Sequence, residues 1–292
     1  MLTEKLKTLY ISFFGNTLSL KVNLLHYSHD IIAKFLYRIK YFGVTRMVGN
    51  NELSKYGMHK MDPFLEPEFI EQITVKSNFL FARPDKTVTN LAESGLIRLK
   101  NSLSELTELE SFINNEKVKN FLKEYYKSDF KIFSSDIYRT VPSQAEDKEE
   151  HFNSLLWHFD NCPENLVKIM IYLNDVTVEN GAISLVAKET SIKLRNKGYW
   201  NRWNNDTFLD EIENSKVYLE GKAGSVLFFS THYCIHKATL PETGYRDVAV
   251  FLIQPSLISA KPLTDSERNQ LSKNFGYSIN PFTNQPLRVG DE

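Results

Sequence analysis

Between residues 132 and 254 the chain breaks into seven short segments of strand texture: 132–141, 167–173, 182–187, 216–220, 225–229, 233–239 and 246–254. Turn residues stand between them, namely Pro142, Asn161, Pro163, Asn180-Gly181, Gly221, Gly224, Pro241 and Gly244. No regular helical run separates one segment from the next. Parallel strands need long crossovers, usually helical, so this spacing argues against a doubly wound sheet and predicts a sandwich or jelly roll. The 20 Phe and 14 Tyr suit such a β-rich core.

The first 130 residues read differently, mainly as helices and loops. Leu24, Leu25, Ile31, Ile32, Phe35, Leu36 and Ile39 recur at near-helical spacing. Ser102-Leu-Ser-Glu105 has the pattern of a capping box, and Val118, Phe121, Leu122 and Tyr125 form one helical face. The expectation is one domain over 1–292: a mostly helical cover (1–130), a jelly-roll core (131–258) and a C-terminal arm (259–292). The fold class is then mainly β with a helical N-terminal part (α+β), around a double-stranded β-helix, cupin-like core.

A net charge of −1 gives no reason to expect nucleic acid as a partner. No run of about 18 apolar residues predicts membrane insertion, and the N-terminus lacks a small-residue cleavage site. Two cysteines, Cys162 and Cys234, make no disulfide framework, so a cytoplasmic, reducing location is expected. The basic, aromatic segment 34–46 reads as a packed helix with solvated cations; contact with a membrane surface is the alternative.

Trp157-His158-Phe159-Asp160 carries the chemistry. Residues two apart in an extended segment share a face, so His158 and Asp160 can bind one cation side by side. Two imidazoles and a carboxylate are the set that iron(II) takes on one face of an octahedron, leaving three open positions. A second histidine must come from elsewhere, and His232 and His236 both stand in the segment after Gly224. Past a turn at Pro241 and Gly244, Arg246 opens the last apolar strand, where its guanidinium can take a carboxylate in a bidentate pair.

Segments 155–190 and 221–247 resemble the phytanoyl-CoA dioxygenase family of iron(II)/2-oxoglutarate oxygenases. The likeness rests on Trp-His-x-Asp, the strand leading to Leu173-Asn-Asp-Val, the turn Glu179-Asn-Gly181, the Gly-x-x-Leu-x-Phe strand from Gly224, and a histidine ten residues before Arg246. It spans roughly 132–256 and implies His158, Asp160 and His236 as iron ligands. It implies 2-oxoglutarate as cosubstrate, with Arg246 on its distal carboxylate, and dioxygen as oxidant. By family position Arg139 and Ile171 lie beside the cosubstrate. Where many members carry a small polar residue two positions after the arginine, this chain has Val248, so a hydroxyl partner must come from elsewhere. Related halogenases have Ala or Gly at the Asp160 position; the carboxylate argues for hydroxylation, or for desaturation or cyclisation.

Trp157, Trp200, Trp203 and His232 are candidates for the substrate wall, with 188–204 as a basic, aromatic rim and 144–150 as an acidic flap. Both cysteines read as packing residues. The expected substrate is a small molecule or natural-product intermediate; a non-catalytic cupin-like binding protein and a protein side-chain hydroxylase are the competing readings. Oligomeric state is not legible.

Overall fold

The computed structural model describes residues 20–40, 51–90, 95–100, 102–142, 153–163, 165–199, 207–258, 262–271 and 280–282. Two sheets form the core. The larger has seven strands: β1 (Met58–Met61), β2 (Thr87–Asn90), β3 (Leu96–Leu99), β4 (Asp129–Thr140), β5 (Val167–Tyr172), β8 (Val226–Phe229) and β10 (Arg246–Ser256). They lie antiparallel in the order β1-β8-β5-β10-β4-β3-β2. The smaller has β7 (Lys216–Tyr218), β6 (Ser184–Val186) and β9 (His236–Lys237), in that order. This is the expected jelly-roll core, with helices packed on it.

Strand alternation sorts the side chains into two layers. Phe228, Ala249, Phe251, Ile169 and Ile171 point to one side, into a core shared with Ile70, Ile73, Leu103 and Leu122. Leu227, Phe229, Val248, Val250, Met170 and Tyr172 point to the other, where Ile183, Leu185 and Cys234 meet them. The central strands are therefore buried on both faces and read as continuous apolar runs rather than alternating ones.

The cover holds α1 (Leu20–Lys40), α2 (Glu52–Tyr56), α3 (Pro67–Phe81), α4 (Ser102–Glu105), α5 (Leu109–Asn114) and α6 (Glu116–Tyr126). α6 presents Val118, Leu122 and Tyr126 to the core, and Asn115 caps it by accepting from the N–H of Lys117 and Val118. The cap expected at Ser102 opens only the single turn of α4, and its buried Oγ has no hydrogen-bond partner among the described residues. The cover also contributes three short strands where helices and loops were expected; four-residue strands such as β1 are too short to show alternation in sequence. α7 (Lys188–Asn196) and α8 (Leu209–Ser215) lie between β6 and β7, so 188–196 is helical rather than loop. In the C-terminal arm α9 (Asp265–Leu271) is tied to the cover by Arg268, whose Nη2 donates to Glu110 Oε2 at 2.8 Å.

Candidate active site

His158 and His236 form an antiparallel bridge, each backbone N–H donating to the other's carbonyl at 3.0 and 2.9 Å. The pairing brings their rings to 4.4 Å between centroids. Asp160 is held in the same register, its N–H donating to the Thr231 carbonyl at 3.1 Å. Its Oδ1 then stands 3.4 Å from His158 Nε2 and 3.6 Å from His236 Nε2. One ligand atom from each of the three residues falls within 4.8 Å of the others.

The backbone also sets the tautomers. His158 Nδ1 lies 2.7 Å from the Leu156 carbonyl and His236 Nδ1 lies 3.0 Å from the Cys234 carbonyl. A carbonyl only accepts, so each Nδ1 carries the hydrogen and each Nε2 offers its lone pair toward Asp160. Burial, and then the neighbouring His158, push the His236 pKa down to about 4, so its imidazole stays neutral and able to ligate at ordinary pH. Burial would raise the Asp160 carboxyl, but the Lys168 ammonium beside it outweighs burial and holds the group well below the usual carboxylate range. Lys168 Nζ donates to Asp160 Oδ2 at 3.0 Å, leaving Oδ1 turned to the imidazoles.

Arg246 sits across the pocket, 3% exposed. Its Nη1 donates to the Gly181 carbonyl, its Nη2 reaches Thr140 Oγ1 at 3.4 Å, and its buried Nε has no partner among the described residues. Gly181 has φ +94°, and a Cβ there would meet the Thr239 carbonyl at 2.7 Å. The Asn-Gly turn legible in the sequence thus shapes the carbonyl that seats the guanidinium. Thr140 places a hydroxyl beside the guanidinium, lying directly opposite Arg246 in the β4–β10 register.

The same register corrects two expectations. Since Thr140 shares a face with Arg246, Tyr138 and Asp136 join it on the pocket side, and Arg139 lies on the other. Arg139 is spent on Asp247, donating from Nε at 2.8 Å and from Nη2 at 2.6 Å, and stacks on Tyr245. Ile171 pairs with Ala249 and packs into the helix-facing core, while Lys168 and Met170 face the pocket.

The expected substrate wall also moves. Trp157 is buried away from the pocket, its Nε1 donating to Glu213 Oε1 at 2.8 Å and its ring packed with Leu194 and Tyr199. His232 falls in a turn before β9, its Nδ1 donating to the Cys162 carbonyl at 3.1 Å. Burial, then Arg195, lower its pKa to about 3. Trp200, Trp203 and the segment 144–150 lie outside the described residues. Cys162 and Cys234 are free thiols that burial pushes up to about 12, in keeping with packing roles.

The cavity has a volume of about 460 Å³. Phe133, Leu166, Met170 and Leu252 make much of its wall, with Arg98, Asp136 and Lys168 as charged groups. Of these charged residues, none was visible as a site residue in the sequence. Lys168 was hidden in an apolar strand, and Asp136 and Arg98, 3.5 Å apart, come from neighbouring strands. The Asp136 carboxyl is raised to about 7 by burial, against the pull of Arg98.

Residues 142–240 match the family model of phytanoyl-CoA dioxygenase, a span that contains the whole His-Asp-His cluster. This segment, about a third of the chain, is similar to the phytanoyl-CoA dioxygenase family. Among curated proteins, none matches the chain. Solved structures with the fold include the alpha-ketoglutarate-dependent carbocyclase SnoK from nogalamycin biosynthesis, at 16% identity and TM-score 0.56, covering 84% of this chain and 94% of that one. HygX from Streptomyces hygroscopicus, with nickel and 2-oxoglutarate bound, aligns at 13% identity and TM-score 0.52 over 78% of this chain and 94% of its own. EctD from S. alaskensis, with 2-oxoglutarate and 5-hydroxyectoine, aligns at 13% and TM-score 0.54 over 77% and 83%. At such identities the likeness is one of fold.

Proposed function

We propose that the protein is a non-haem iron(II)/2-oxoglutarate-dependent dioxygenase that hydroxylates a small molecule, with His158, Asp160 and His236 as iron ligands and Arg246 as the cosubstrate anchor. The observation that carries this reading is the convergence of His158 Nε2, Asp160 Oδ1 and His236 Nε2, with both imidazole tautomers set for ligation. The donor set fits iron(II), and the unpartnered Nε of a buried arginine fits a carboxylate that would complete it. Bound iron with 2-oxoglutarate and dioxygen supplies an oxidant able to attack an unactivated C–H bond.

The chain's own residues do the rest. Lys168 keeps one Asp160 oxygen occupied, so a single oxygen is presented to the metal. Thr140 and Gly181 fix the guanidinium of Arg246. The apolar wall excludes water and leaves Arg98 and Asp136 to read a polar group on the substrate. A cavity of about 460 Å³ suits a small molecule or natural-product intermediate better than a protein side chain approached along a groove. Residues 1–292 are read as one oxygenase domain, and the two free thiols suit a reducing, cytoplasmic location.

The test is succinate release from 2-oxoglutarate in air, with iron(II) and a substrate library, using Asp160→Ala as the blank. Turnover in the wild type and none in the variant is expected; equal turnover in both would remove the assignment of Asp160.

A further inference from the structure

Helix α1 keeps most of its large apolar side chains outward. Val22, Asn23, His26, His29, Asp30, Ala33 and Tyr37 are buried against the protein, whereas Leu20, Leu24, Tyr27, Ile31, Phe35 and Ile39 are 49% to 60% exposed. At helical spacing these six form one stripe, roughly 30 Å long. A surface helix of a folded chain ordinarily turns its apolar stripe inward, so a contiguous outward stripe signals a surface that is covered in use. The exposed charges on the helix itself are of one sign. Lys21 and Arg38 are exposed, Lys40 reaches back to Asp129 at 3.0 Å, and the helix's single acid, Asp30, faces inward and pairs with Lys34 at 2.6 Å.

We propose that α1 docks this protein on a lipid surface bearing anionic headgroups. The stripe would lie in the boundary between headgroups and acyl chains, with the basic residues among the phosphates. Charge complementarity favours this occupant over a second copy of the chain: two such faces would bring basic rims together, with no exposed acid on either helix to meet them. The helix lies along the bilayer, since no helix among the described residues is long and apolar enough to cross it. On its inner face His26 lines the reaction pocket, so docking places that pocket beside the membrane. The inference is independent of the iron site.

Flotation of the full-length chain with phosphatidylcholine vesicles, with and without phosphatidylglycerol, tests it. The wild type should float with the anionic vesicles, and Ile31→Glu/Phe35→Glu should bind at least roughly ten-fold less. Lys21→Glu/Arg38→Glu should lose the preference for phosphatidylglycerol. The replaced side chains are exposed, so circular dichroism and thermal melting should match the wild type. Failure of the wild type to float, or undiminished flotation of Ile31→Glu/Phe35→Glu, overturns the proposal. A wild-type dimer in sedimentation velocity that the same variant dissociates, without flotation, would assign the face to a second copy and overturn it as well.

Discussion

At the scale of single residues, two arginines separate by what they face. Arg246 lines the pocket with its buried Nε unpartnered among the described residues, and Arg139 is closed onto Asp247 behind it. Arg246→Leu should raise the KM for 2-oxoglutarate by about 10- to 100-fold, the loss expected for a charge-assisted contact. Arg139→Ala should leave that KM unchanged in the protein that folds. It should instead destabilise by about 3–5 kcal/mol, because Asp247, fully buried, keeps a charge without its partner. Urea melts together with KM measurements distinguish the two; a rise in KM for Arg139→Ala at unchanged stability would put it back at the site. The candidate metal ligands were legible for two reasons: His158-x-Asp160 through strand parity, and His236 through the histidine-to-arginine spacing that the family resemblance implies. Arg139 misled because parity within one strand says which residues share a face, and not which face is inward.

At the scale of elements, strand boundaries were readable and register was not. β4, β5, β8 and β10 fall almost where the apolar runs and turn residues put them. Their central residues are buried on both sides, so composition does not separate pocket from core, and a one-residue choice inverts every side chain. Ile171→Ala tests the observed register. With Ile171 in the helix-facing core, the substitution should cost about 2–5 kcal/mol and leave KM for 2-oxoglutarate unchanged. A normal melting curve with an altered KM would return it to the pocket. Lys168, Asp136 and Arg98 share this cause: each enters the pocket through the pairing of strands distant in sequence. α1 was legible as a helix from its periodicity, but the direction of its apolar face was not, because burial of that face is the default assumption.

At the scale of the whole molecule, buried titratable groups set opposing dependences on pH. His29 is pushed down to about 4 by burial and then Lys131, and His232 down to about 3 by burial and then Arg195. Unfolded, both take up protons near the ordinary 6.5, so their contribution to stability is present above that pH and is lost as pH falls toward 4 and 3. Asp136 acts with the other sign. Its carboxyl, raised from 3.8 to about 7, contributes stability that is complete below 3.8 and is lost as pH rises through 7. The metal-free protein should melt highest at mildly acidic to neutral pH. Asp136→Asn should gain on the order of 1–4 kcal/mol relative to wild type at pH 8 and less at pH 5; an equal effect at both would show that Asp136 does not titrate in this window.

One ion and one dicarboxylate are expected to meet at His158, Asp160, His236 and Arg246. Anaerobic titration of the iron(II)-loaded protein with 2-oxoglutarate, followed by visible absorption, tests this most directly. A saturable charge-transfer band is expected in the wild type, with a weaker apparent affinity in Arg246→Leu and no band in Asp160→Ala. A wild type that takes up iron yet develops no band at saturating 2-oxoglutarate would contradict it.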